Sequence, residues 1–338
     1  MPDYVDTMMY VGEMPWHKRG VMVREAPSIK DAVELAGLNW GVEKAPTYFK
    51  QDKGYWRFGP INSSIEKQTG HYVTYRTDTD EPLGNVSSRY EILQNKDAFE
   101  PFEPMIDMGF KLETAGAVQG GKKIWVLAKA PNRYTVGDDS INRYVFMFTS
   151  HDGSTGNCFR DTMIRIVCYN TLDYALSKDG TFQYSLKHTS SIKQKVMDLK
   201  KTIAKSEGNF TKAIDNMNRF QDVKMNPDLL DTYLEAVIPF LKDRHKESIP
   251  EMNIYVRNTA KPVYDRLKQL FYNGQGNKGK TLWDAYNAVT EYYTHDKQYK
   301  DWVQATQFGA AYRYKVKAFN IASKFTSYDK QFLVNGQA

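Results

Sequence analysis

Apolar positions follow two different rhythms along this chain. Up to about Asn170 they occur in short runs rich in β-branched and aromatic residues, separated by Gly, Pro, Asp and Asn. Beyond that point they recur at helical spacing. Ile192, Val196, Leu199 and Ile203 form one apolar stripe, with Lys193, Lys200, Lys201 and Lys205 lying off it. The period changes from strand-like to helical, so the expected fold is α+β: a strand-rich amino-terminal half with an antiparallel sheet, then a helical carboxy-terminal half. The expected division is 1–186 for the core domain and 187–338 for a basic helical region packing on or extending it.

Local signals predict individual elements. Ser28 caps a short helix that stops at Gly37, with Asp31 at its third position. Trp40–Val42, Tyr48–Phe49, Tyr55–Phe58 and His71–Arg76 read as strands, and 78–85 (DTDEPLGN) as a turn-forming loop. Tyr90–Gly109 reads as a strand followed by a helix capped by Asn95, which Pro101 and Pro104 disturb. Lys111–Val118, Lys123–Ala130, Tyr144–Thr149 and Thr162–Cys168 are four further strands, the first two joined around Gln119-Gly120-Gly121. In the second half, Pro227 opens a helix that Pro239 ends, 260–272 is helical, Thr281 caps another helix, and a last one spans about Ala310–Ser323.

Composition adds limits. Among 338 residues, 41% are hydrophobic and 25% charged, which is ordinary globular usage, while 23 tyrosines make the chain unusually aromatic. No stretch approaches the ~20 apolar residues of a membrane span, and the amino terminus lacks a signal-peptide pattern. Cys158 and Cys168 are too few for a disulfide framework and read as buried free thiols. The expected location is the cytoplasm.

The net charge is +6, and its placement matters more than its size. Residues 187–224 hold nine Lys/Arg against four Asp/Glu, and 302–328 hold four basic residues and no acid. Charge gathered in the carboxy-terminal half is the electrostatic precondition for a polyanionic partner, and it is equally the make-up of a solvated helix face. Within the acid-free window, Tyr312-Arg313-Tyr314-Lys315-Val316-Lys317 interleaves aromatics with cations, as single-stranded nucleic-acid binders do, although a terminal helix packing Val316, Phe319 and Ile321 inward has the same pattern. Arg160 and Arg165 place cations on an otherwise apolar strand, suited to phosphate contact or simply to a sheet's wet side.

Two other motifs bear on chemistry. The letters GQGNKGKT from Gly274 satisfy the phosphate-loop spacing. The preceding Leu267–Tyr272 reads as a helix end rather than a buried strand, however, and no strand ending in a metal-binding acid follows. A basic loop before a capped helix fits better than a nucleotide site. His151-Asp152 follows the apolar run VFMF, but neighbours on a strand face opposite ways, so the pair works together only if the chain turns there. A polar turn is the simpler reading. There is no HExxH, CxxC pair or Gly-x-Ser-x-Gly, so no catalytic residue, metal or cofactor is expected.

Four patches carry a family resemblance: MPWHKRG (Met14–Gly20), GNVSSRYEILQNKDAF (Gly84–Phe99), TSHDGSTGNCFRDTMIRIVCYNTLDYAL (Thr149–Leu176) with its trailing KHTSSI, and GKTLWDAYNAVTEY (Gly279–Tyr292). In order and spread over most of the chain, they resemble the phage/plasmid-like protein family, a domain of unknown function (DUF932). The family's activity is not settled, so the resemblance implies a mobile-element origin and no catalytic residues. In this family the GNKGKT stretch leads into a helix beginning around Thr281. A more distant similarity, to phage single-strand annealing proteins, implies a mixed strand–helix core that assembles around DNA.

The leading expectation is therefore a phage-encoded single-stranded nucleic-acid-binding protein, homo-oligomeric as a ring or filament, acting in recombination or replication. Arg160, Arg165, Lys193, Lys200, Lys201, Lys205, Arg313, Lys315 and Lys317 would neutralise phosphates, while Tyr312 and Tyr314 would stack bases. The alternative is a non-enzymatic protein that binds and modulates a host protein through a tyrosine-rich surface.

Overall fold

A computed structural model describes residues 5–12, 20–52, 55–56, 59–60, 64–165, 170–172, 183–186, 192–241, 259–299, 305–306 and 309–328. Its architecture is α+β. The main sheet has eight strands: β1 (Val5–Val11), β2 (Val21–Val23), β8 (Lys111–Val118), β9 (Lys123–Val136), β10 (Asp139–Ser150), β11 (Asn157–Arg165), β12 (Asn170–Leu172) and β13 (Gln183–Leu186). Their order is β12-β11-β10-β9-β8-β1-β2, with β13 also pairing with β11; among the described strands only β1 and β2 run parallel. A smaller antiparallel sheet joins β3 (Val42–Asp52), β6 (Ser64–Arg76) and β7 (Pro82–Ser87), and β4 (Tyr55–Trp56) pairs with β5 (Gly59–Pro60).

The best-patterned β-region of the sequence is the centre of the main sheet. Every residue from Ile141 to Ser150 on β10 is buried, as expected of a central strand covered on both faces. The β8–β9 hairpin turns at Gln119, Gly120 and Gly121, all with positive φ, which the two glycines adopt without Cβ strain. One face of the sheet (Val126, Ala128, Val145, Met147, Phe159) packs under α1 (Ile29–Leu35), α2 (Asn95–Phe99) and α3 (Glu103–Asp107). Met8, Tyr10, Trp125, Phe146 and Phe148 form a cluster on the other.

Three local expectations need correcting. Trp40 and Gly41 precede the strand expected over Trp40–Val42, since β3 begins at Val42. The 78–85 loop is only half loop, because β7 begins at Pro82 and pairs with β6. Residues 90–94 form no strand, and Asn95 is the first helical residue rather than the cap. That helix is broken in three, with a 3-10 turn (Glu100–Phe102) between α2 and α3. Each proline sits in the first turn of its piece, where a missing N–H costs nothing.

The helical half contains α4 (Ile192–Asp222), α5 (Pro227–Val237), α6 (Lys261–Asn273), α7 (Leu282–Glu291), a π-helical turn (Tyr292–Asp296) and α8 (Ala310–Tyr328). Asn226 caps α5 through its side chain. This bundle does not stand apart from the sheet: Val136, Ile141 and Met163 share a core with Phe210, Tyr233, Trp283 and Phe319. Trp283 Nε1 also donates to Asp139 at 2.7 Å. Among the described residues no helix is long and apolar enough to cross a membrane. Cys158 is a buried free thiol, and Cys168 lies outside the described residues.

Candidate functional site

The residues singled out as a nucleic-acid interface do not form one surface. Arg160 is buried on β11, directly opposite Phe146, and its guanidinium lies 4.3 Å from the Tyr312 ring centroid. Tyr314 stacks on Tyr293 of the π-helical turn, with centroids 4.8 Å apart and ring planes at 8°. Lys315 is fully buried, whereas Arg313 is exposed. Lys317 is half-buried, and loss of water around its ammonium pulls its pKa below the ordinary lysine value. So Tyr312, Tyr314 and Lys315 turn inward on α8, and stacking on bases would require both tyrosines to leave these partners. Arg165 ends β11 in register with Ile141, and its side chain lies outside the described residues. Lys193, Lys200, Lys201 and Lys205 lie on the first half of α4, and their side chains are also outside them.

The GQGNKGKT loop has a different occupant from a phosphate. It follows helix α6, and its backbone donors converge on the chain's own carboxylate. Lys278 N–H donates to Asp284 Oδ1 at 3.0 Å, while Lys280 N–H and Thr281 N–H donate to Oδ2 at 3.0 and 2.9 Å. The Thr281 hydroxyl adds a bond of 3.1 Å to the same oxygen, and Asp284 N–H donates back to Thr281 Oγ1 at 3.4 Å, closing a capping box at the start of α7. Such a nest of N–H groups is an anion site by geometry, and here Asp284 fills it. The loop is tied down as well: Met225 N–H donates to Lys280 O and Leu282 N–H to Val223 O.

His151 is also an internal residue. Its ring is fully buried, with Nε2 2.7 Å from Asn95 Oδ1. The Asn95 amide donates to the carbonyls of Leu38 and Trp40, so its oxygen faces the imidazole and Nε2 carries the proton. The backbone at His151 donates to Lys122 O and accepts from the Thr74 hydroxyl, each at 2.7 Å. Asp152 turns the other way and accepts from Ser154 N–H at 2.8 Å. The turn expected from Asp-Gly is present, with Gly153 at φ +74°. The histidine stitches the small sheet and the 90–95 segment to the end of β10.

Sequence inspection missed a buried charge cluster. Arg143 on β10 grips Asp161 on β11 with two bonds, Nε and Nη2 each 3.1 Å from a carboxylate oxygen. Arg143 Nη1 also bonds Glu207 of α4, and Tyr134 donates its hydroxyl to that same carboxylate. Burial and the adjoining Glu207 raise the Tyr134 pKa. A cavity of about 250 Å³ opens beside the cluster, lined by Met108, Phe110, Ala130, Pro131 and Asn132 as well as Arg143 and Glu207. Arg143 is committed to two carboxylates, so the cluster joins sheet to helix. Asp161 inside the apolar run CFRDTMIRIV was the available signal, because a buried carboxylate requires a cation.

A family model for a domain of unknown function, DUF932, matches residues 82–316. No curated protein and no solved structure matches this chain. Three of the four resemblance patches fall inside the matched span, and Met14–Gly20 precedes it. The match runs from the first residue of β7 into α8, more than two thirds of the sequence, and the chain belongs to the DUF932 family.

Proposed function

We propose that this protein binds single-stranded nucleic acid, as a homo-oligomer serving phage-type recombination or replication. One observation carries the proposal. The two basic segments fold as long helices, α4 and α8, that pack on each other, with the Phe220 and Phe319 rings 5.7 Å apart. Cations far apart in sequence thereby belong to one bundle, and Lys212, Arg219, Lys224, Arg313 and Lys324 remain exposed on it. A bundle of this sign attracts phosphates and raises their local concentration.

Fluorescence anisotropy with a labelled single-stranded oligodeoxynucleotide, titrated at low and at physiological salt, tests the proposal. Binding should weaken by ~10²-fold or more between the two, because each neutralised phosphate releases counterions. Absence of binding at low salt would overturn it.

A further inference from the structure

The β3–β6 pair extends well beyond its sheet. β7 pairs only with His71–Tyr75 of β6, whereas β3 and β6 stay paired from Val42/Arg76 out to Asp52/Ser64, with a register shift between Pro46 and Tyr48. From Thr47 to Asp52 no third strand joins the pair among the described residues, leaving a two-stranded ribbon roughly 20 Å long at the usual rise per residue. A ribbon this thin has no core of its own and gains nothing from exposing apolar rings. Yet Tyr48 is 57% exposed and Phe49 48%, adjacent residues on opposite faces.

Cross-strand register separates the two faces by charge. Tyr48 opposes Gln68, and its neighbour Lys50 is 3.7 Å from Glu66, an exposed and self-neutralising pair. On the other face Phe49 lies directly opposite Lys67, and beyond them the Thr47 and Thr69 hydroxyls bond each other. From Thr47 outward no carboxylate shares this second face among the described residues, Glu43 lower on the same face being held by the Tyr75 hydroxyl, and Lys67 has no ion-pair partner there. An exposed ring beside an unneutralised ammonium suits a base stacked over a phosphate. Pairing with a second copy along the ribbon's open edges is disfavoured by the same residues. Pro46 removes a donor from β3, and Lys50 and Lys67 guard the edges of β3 and β6. The base of the arm is braced, with Lys44 Nζ donating to Ser88 O at 3.1 Å and to Tyr90 O at 2.7 Å.

We infer that the β3–β6 ribbon is an arm that grips single-stranded nucleic acid, with Phe49 stacking on a base and Lys67 meeting the adjoining phosphate. The inference rests on the function proposed above and adds a contact surface that the basic helices do not supply. The test uses the full-length protein and a fluorescein-labelled oligodeoxythymidine at low salt. The Phe49→Ala/Lys67→Ala double variant should bind ~10–100-fold more weakly, the range expected for losing one stacked base and one phosphate contact. Its thermal unfolding should be unchanged, since neither side chain enters the core. Phe49→Trp should retain binding. If wild type binds and the double variant binds equally well, the arm is refuted while the function stands. If wild type does not bind, both fall. If binding drops together with the particle mass measured by light scattering, the ribbon joins copies of the chain and the inference is overturned.

Discussion

Gly84 of β7 lies directly against Asp152, so close that a Cβ on the glycine would sit 2.5 Å from the Asp152 Cα. Two of the family patches therefore meet here, face to face. Gly153 approaches Val86 in the same contact, and Tyr90 donates its hydroxyl to Ser150 O at 2.8 Å. Gly84→Ala should destabilise the fold by about 1–3 kcal/mol through overpacking against backbone that cannot swing aside. Gly120→Ala is the comparison: its added methyl meets nothing, so its cost of ~1–2 kcal/mol is that of φ +72° alone. Urea denaturation of both separates the mechanisms. Backbone strain explains only the second, and an unaffected Gly84 variant would mean that the two patches do not touch.

The contact also shows what a single sequence conveys. Ser28, Pro227, Thr281 and the β8–β9 turn were legible because each acts within four residues of itself. The central strands were legible because burial on both faces leaves a continuous apolar run. What escaped was non-local. Nothing near Val5–Val11 announces that β1 pairs with β8 on one side and β2 on the other. The pattern YRYKVK was read correctly as aromatic and basic. Which of its residues face the body depends on Tyr293 and Arg160, which lie elsewhere in the chain.

The filled nest at Asp284 makes the GQGNKGKT loop a stability element. Asp284→Ala removes the acceptor for three backbone N–H groups and one hydroxyl in a buried setting, and should cost about 2–4 kcal/mol, a hydrogen bond to a charged group being worth ~1.5–3 net of water. Lys280→Ala should change stability by less than ~0.5 kcal/mol, because that side chain is exposed. Melting curves with and without magnesium ATP complete the test. A nucleotide-dependent rise that Lys280→Ala abolishes would contradict the assignment.

Breaking the Arg143–Asp161 pair should be among the most damaging single changes. Arg143→Met leaves a buried carboxylate without its cation and should cost about 3–5 kcal/mol. The double variant Arg143→Met/Asp161→Leu should recover most of that loss, because an apolar pair of similar volume carries no desolvation penalty. Glu207→Gln should be much milder, since that side chain is 47% exposed. Equal losses in single and double variants would show that packing, rather than charge, governs the site.

Alkaline pH should unfold the protein steeply, and the sign follows from three buried phenols. Tyr90, Tyr233 and Tyr293 all have pKa values raised above the ordinary tyrosine value, with burial as the main cause. Tyr233 is wholly buried and donates to Ala318 O at 3.1 Å, a bond that its ionised form could not make. In the unfolded chain these groups lose their protons near pH ~10, while the folded chain still holds them. The folded state therefore binds more protons above that pH, and stability must fall as pH rises. The contribution is fully present below the unfolded value and is lost at about 1.4 kcal/mol per pH unit for each phenol, or ~4 for the three together. Denaturant midpoints measured at about pH 8, 10 and 11 should dip by the second point, where the unfolded phenols are half ionised, and drop steeply by the third. Tyr233→Phe should shallow that drop by about 1.4 kcal/mol per pH unit above ~10, at the expense of the bond to Ala318. A midpoint that stays flat to pH ~11 would mean that these rings reach water in the folded protein.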